Sequence, residues 1–96
     1  MIVSYANKDT ELLANHVRVK KYEKVERIAL RKLLQLEVAK SLSDLAIPPG
    51  NRLERLEGNR SGQYSIRINK QYRICFVWTE KGPEQVGITD YHLEVQ

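Results

Sequence analysis

The chain has 96 residues, 42% hydrophobic and 29% charged, values of an ordinary globular protein that exclude a disordered or fibrous one. Lys and Arg exceed Asp and Glu by 16 to 12, giving a formal charge of +4 and favouring a polyanionic partner. No apolar run approaches the roughly 20 residues of a membrane span, and the first residues lack the apolar run of a signal peptide. The one cysteine, Cys75, permits no internal disulfide. A cytoplasmic protein with no membrane contact is therefore expected.

Along the chain, Ile2 to Tyr5 reads as a short strand. Lys8-Asp9-Thr10-Glu11 then opens a small helix, with Asp9 or Thr10 as its N-cap before Leu12 and Leu13. A longer helix follows from Val25, Ile28, Ala29, Leu33 and Leu36 at helical spacing, with Leu30, Leu34 and Val38 widening the apolar face. Ser41 to Leu45 suggests one more helical turn, and Pro48-Pro49-Gly50-Asn51 breaks the chain.

After that break the period becomes that of strands. Leu53 and Leu56 suggest a short strand ending at Gly58-Asn59. Tyr64, Ile66 and Ile68 alternate with Ser65 and Arg67, and Tyr72, Ile74, Phe76 and Trp78 alternate with Arg73, Cys75 and Val77. If these two segments form a hairpin, the apolar faces coincide only when Ile66 meets Ile74 and Arg67 meets Arg73. That register demands the three-residue loop Asn69-Lys70-Gln71, since a two-residue loop would set Arg67 beside Ile74. Lys81-Gly82-Pro83 makes the next turn and Gln85 to Tyr91 the last strand. The expected fold is α+β in the order β-α-α-β-β-β-β, two N-terminal helices packed on a twisted, mainly antiparallel sheet. The helix covers one face, and the arginine face is left for a ligand.

The basic residues form two clusters. Arg18, Lys20, Lys21, Lys24, Arg27, Arg31 and Lys32 make the first; Arg52, Arg55, Arg60, Arg67, Lys70 and Arg73 make the second. Arginine dominates the second, and its planar fork suits phosphate oxygens. Arg73 lies mid-strand among apolar positions, where an unpaired cation is expensive. Either Asp90 or Glu54 pairs with it, or its guanidinium meets a phosphate and stabilises charge built up during transfer. Arg60 and Arg67 are further phosphate-binding candidates, against the plain alternative of a solvated surface. His92 can exchange a proton near neutral pH, as cleavage through a 2′-hydroxyl requires, though a lone histidine near a terminus is commonly just exposed. Asp90-Tyr91-His92 strengthens the case: Asp90 can orient a neighbour, and Tyr91 offers a ring face and a hydroxyl. The aromatic row Tyr64, Tyr72, Phe76 and Trp78 shares its face with isoleucines and reads as core, not as a base-stacking platform. No metal-ligand spacing, phosphate-loop signature or serine-nucleophile pattern is present.

The segments Pro49-Gly50-Asn51-Arg52-Leu53, Leu56-Glu57-Gly58-Asn59-Arg60, Gly62-Gln63-Tyr64-Ser65-Ile66-Arg67-Ile68-Asn69, Tyr72-Arg73-Ile74-Cys75-Phe76 and Asp90-Tyr91-His92 match one family in order and spacing. On them the chain resembles the HigB toxins, the plasmid-maintenance killer branch of the RelE-like toxins. The resemblance implies that residues 1–96 form one compact RelE-like domain belonging to a type II toxin–antitoxin pair. It further implies an endoribonuclease, needing neither metal nor cofactor, that cuts messenger RNA on the ribosome. The implied protein partner is a HigA-like helix-turn-helix antitoxin, through which alone operator DNA is reached. Arg73, Tyr91 and His92 fall on positions that the family uses in catalysis, with Arg52, Arg60, Arg67, Lys70 and Asp90 as the RNA-binding set. One departure is visible. Some HigB toxins carry a histidine and a lysine where Glu54 and Glu57 stand here, and two acids there repel phosphate. That departure favours a weaker nuclease, or a binder that interferes with ribosome function or maturation.

Overall fold

The structure is a computed structural model that describes residues 1–91. Helix α1 spans Lys8–Ala14 and α2 spans Glu26–Val38. They are followed by four strands: β1 Glu54–Arg55, β2 Tyr64–Arg67, β3 Tyr72–Thr79 and β4 Gly82–Asp90. The strands pair in chain order as one antiparallel meander, giving the expected α+β architecture.

The first segment differs in form from the strand expected at Ile2 to Tyr5. It runs parallel along the outer edge of β4 and makes a single bridge, Tyr5 to Val86. The Val3 N–H donates to the Pro83 carbonyl at 2.8 Å and the Val86 N–H to the Ser4 carbonyl at 3.0 Å, so the segment covers an edge that would otherwise expose backbone. Its close approach explains Gly82. At φ 125° that residue sits where a side chain is strained, and a Cβ there would collide with the Met1 carbonyl oxygen. The β3–β4 turn is accordingly Glu80-Lys81, with Gly82 and Pro83 already paired to Thr79 and Trp78, one position earlier than the sequence suggested.

Helix α1 is capped by Asn7 rather than by Asp9 or Thr10. Asn7 has extended backbone, and its side chain accepts the Thr10 N–H at 2.9 Å. This frees Thr10 to bridge two elements. Its buried hydroxyl donates to Asn7 Oδ1 and accepts the Ile88 N–H at 2.9 Å, stitching α1 to β4. Helix α2 buries Ala29, Leu33 and Leu36 as its spacing requires. Leu34 and Val38, expected to widen that face, are 61% and 63% exposed, because the sheet covers only one stripe of the helix. Ser41 begins a 3₁₀ turn, Leu42–Ala46, and closes it with a reciprocal capping box to Asp44.

The core lies between α2 and one face of the sheet, where Leu33, Leu36, Ile66, Ile74, Phe76 and Val86 meet. The β2–β3 register is the expected one, Ile66 opposite Ile74 and Arg67 opposite Arg73, around the loop Asn69-Lys70-Gln71. Tyr64 stacks on Phe76 with centroids 6.3 Å apart, and Tyr72 meets Tyr22 edge-on at 5.5 Å. These rings belong to the packed side of the sheet, not to a stacking platform.

Candidate functional site

The second face of the sheet carries Ser65, Arg73 and Cys75, and all three are buried. This is the arginine face expected to meet a ligand, and it holds a recess. The chain from Pro49 to Arg60 forms a flap along the β2 edge of the sheet, with β1 paired to β2 and Gly50 and Asn51 held by α2. Pro49–Asn51 forms a 3₁₀ turn, and Arg52 takes a left-handed conformation at φ 45°. Two residues of β1 pair with β2, and a second 3₁₀ turn, Gly58–Arg60, follows. Between this flap and β3 and β4 lies a cleft of about 220 Å³ lined by Glu57, Asn59, Arg60, Arg73, Thr89 and Tyr91, together with Leu56 and Cys75.

Arg73 is the floor of the cleft and is held on several sides. Its Nε donates to Ser65 Oγ at 2.7 Å, and one terminal nitrogen donates to the Arg52 carbonyl at 3.0 Å. The same nitrogen lies 3.7 Å from Glu54 Oε2. The guanidinium carbon stands 5.4 Å from the centre of the Tyr91 ring, within cation–π range. Of the two carboxylates considered from sequence, Glu54 is therefore the one that faces Arg73. Its side chain is 51% exposed, so water screens the pair, while the buried arginine keeps a fixed geometry. A buried cation held in fixed geometry at the floor of a cleft is the arrangement that stabilises charge developing on a phosphoryl group.

The other candidates are distributed unevenly. Arg60 lines the cleft and bonds Gln63 Oε1 at 3.0 Å. Arg52 contributes its carbonyl to Arg73, and its own side chain is exposed. Arg67 turns toward the hairpin, where its Nε donates to the Asn69 carbonyl at 3.1 Å, and it is not among the residues lining the cleft. Lys70 is exposed at the crest of that hairpin. Asp90 accepts from the Gln71 side-chain amide at 2.9 Å, and the Tyr91 N–H donates to the Gln71 carbonyl, so the hairpin loop fixes the end of β4. His92 lies outside the described residues. Thr89 and Asn59 were not singled out from sequence. Thr89 was legible in principle, because the register sets it directly opposite Arg73.

Behind the flap stands a buried lysine. Lys32 of α2 is 4% exposed, and its Nζ donates to the Gly50 carbonyl at 3.2 Å and to Asn51 Oδ1 at 2.9 Å. Asn51, fully buried, donates in turn to Gln35 Oε1 and to the Leu45 carbonyl. This pins the turn that delivers the Arg52 carbonyl to Arg73. Burial first, then the neighbouring cations Arg31, Arg67 and Arg73, push the Lys32 pKa below its ordinary value. Among the described residues no group of three or more His, Cys, Asp or Glu converges as a metal site, and no helix is long and apolar enough to cross a membrane.

The family profile described as "RelE-like toxin of type II toxin-antitoxin system HigB" matches residues 5–92. The chain is 55% identical over 56 residues to Toxin HigB-1 of Vibrio cholerae serotype O1, covering 58% of this chain and 59% of that protein. It is also 42% identical over 50 residues to an uncharacterized protein of Haemophilus influenzae, covering 52% of this chain and 50% of that one. The matched stretches thus span about half to three fifths of these curated relatives.

Proposed function

The chain belongs to the RelE-like HigB toxins of type II toxin–antitoxin systems, and from that premise we propose that it is a ribosome-dependent messenger RNA endoribonuclease. The observation that carries the proposal is the recess that the buried Arg73 guanidinium shares with Arg60 and with the exposed ring of Tyr91, which it faces. In this reading a 2′-hydroxyl attacks its own adjacent phosphorus and expels the 5′-oxygen, leaving a 2′,3′-cyclic phosphate and a 5′-hydroxyl. One proton leaves the nucleophile and one is delivered to the leaving oxygen. Arg73, assisted by Arg60, neutralises the phosphorane charge. His92 exchanges a proton, and Tyr91 supports a base or donates through its hydroxyl. Arg52, Arg67 and Lys70 hold flanking phosphates, and Asp90 holds the hairpin loop that carries Lys70. The ribosome contributes orientation, which lets a sparse site suffice.

The protein acts in the cytoplasm in this proposal, and a HigA-like helix-turn-helix antitoxin neutralises it. A second reading is favoured by one feature, the acids at the flap. Glu54 sits 3.7 Å from the Arg73 guanidinium and Glu57 lines the cleft, and both oppose an incoming phosphate. On that reading the protein binds the ribosome or its precursors and blocks them with little cleavage. Primer extension on translating ribosomes separates the two. New message ends with wild-type protein, absent with Arg73→Ala and Tyr91→Ala of verified fold, support the nuclease. Stalled or immature subunits with intact messages refute it in favour of the binder.

A further inference from the structure

No residue of the first basic cluster lines the cleft, and the fold gives Lys20, Lys21 and Lys24 a surface of their own. A 3₁₀ turn, Lys20–Val25, leads into α2 and packs its Tyr22 ring edge-on against Tyr72 of β3. The contact brings Lys20, Lys21 and Lys24 up to the Asn69-Lys70-Gln71 loop, and between them runs a groove of about 450 Å³ lined also by Asn69, Gln71 and Tyr72. Lys20 and Lys24 are exposed and make no ion pair among the described residues; Lys21 is held by Asp9 at 2.8 Å, and Glu23 also lines the groove. Gln71 belongs to both surfaces. It lines the groove, while its carbonyl accepts the Tyr91 N–H and its amide bonds Asp90 at the end of β4. A single short loop, with Lys70 exposed on it, therefore separates the lysine groove from the arginine cleft.

From this juxtaposition we infer that the groove is a second RNA-binding surface, gripping the phosphate backbone of a folded RNA beside the strand held in the cleft. The inference rests on the RNA reading of the cleft. Lysine ammonium groups are point charges that attract phosphate without reading bases, and the aromatic rings at the groove are spent in core contacts. The grip is therefore electrostatic and indifferent to sequence. One polyanion crossing the loop engages both cation sets, an arrangement that short acidic peptide segments do not require.

The test is fluorescence anisotropy with a labelled RNA hairpin, 2′-O-methylated throughout so that it cannot be cut, titrated across a range of salt. Lys20→Glu/Lys24→Glu should bind about tenfold more weakly near 0.1 M salt, and the slope of log affinity against log salt should become shallower by about 1.5 to 2. Both side chains are exposed, and circular dichroism verifies the fold. Unchanged affinity and slope in the lysine variant overturn the inference while leaving the cleavage reading untouched, since that reading is scored separately by primer extension. Unchanged RNA binding with loss of binding to the co-expressed antitoxin also overturns it and assigns the groove to a protein.

Discussion

Replacing Lys32 by methionine tests the support behind the cleft. The substitution keeps most of the volume and removes the ammonium, leaving the Gly50 carbonyl and Asn51 Oδ1 without their donor. Asn51 Oδ1 is buried, and leaving it unsatisfied costs about 1–3 kcal/mol; Gly50 is exposed and its carbonyl can turn to water, and relief from burying a charge offsets part of the loss. A net loss of about 1 kcal/mol is expected at neutral pH, which for a domain of this size lowers Tm by about 4–8 °C. The pH dependence carries the sharper signature. Lys32 titrates below its ordinary 10.5 in the folded chain, so the folded state binds fewer protons than the unfolded one between those two values. Stability contributed by this residue therefore rises with pH through that window and is lowest, and constant, below it. Methionine has no such response. Tyr5 and Tyr22, whose burial raises their pKa above 10.0, pull stability the other way at high pH, but they do so in both proteins and cancel in the difference. Scanning calorimetry of wild type and Lys32→Met from pH 7 to about 10.5 should show a Tm gap that widens as the pH nears the lysine range. A gap that stays flat or narrows, or a variant as stable as wild type at pH 7, refutes the reasoning.

Other outcomes follow from single contacts. Thr10→Val keeps the shape but removes the hydroxyl that accepts the Ile88 N–H, and urea unfolding should show a loss of about 1–3 kcal/mol. Gly82→Ala sets a Cβ against the Met1 carbonyl at a strained φ, and should lower stability by about 1–3 kcal/mol; removing the first residues as well should restore part of that loss. Glu54→Gln removes the acid facing Arg73. Because Glu54 is half exposed, Tm should move little, while RNA affinity in an anisotropy titration should rise by about threefold to tenfold. Loss of affinity instead would mean that Glu54 orients the guanidinium more than it opposes phosphate.

Several features were readable in the chain because they depend on near neighbours. The β2–β3 register follows from two alternating rows that can share a face in only one way, and the structure has Ile66 on Ile74 and Arg67 on Arg73. The buried stripe of α2 follows from spacing, as does the break at Pro48-Pro49. Arg73 was legible as a residue of consequence for the same reason: a cation in an apolar strand must be paired. Family membership rests on contiguous motifs around these residues, and the profile match over residues 5–92 bears it out.

What the one-dimensional pattern left open were the contacts between segments far apart in the chain. Leu34 and Lys32 exchange the roles their polarity suggests, because the flap reaches α2 on the lysine side and nothing described covers Leu34. Asn7 displaces Asp9 as the cap because Thr10 is needed at β4. The arginine face became a recess because residues 49–60 wall its edge, bringing the Arg52 carbonyl and Glu54 to a guanidinium about twenty residues away. Local pattern determined the buried stripe of α2 and the alternating faces of β2 and β3, since those depend on periods of 3.6 and two along one segment. Tertiary packing alone decided which polar groups meet, since a buried donor takes whichever acceptor the fold brings within reach.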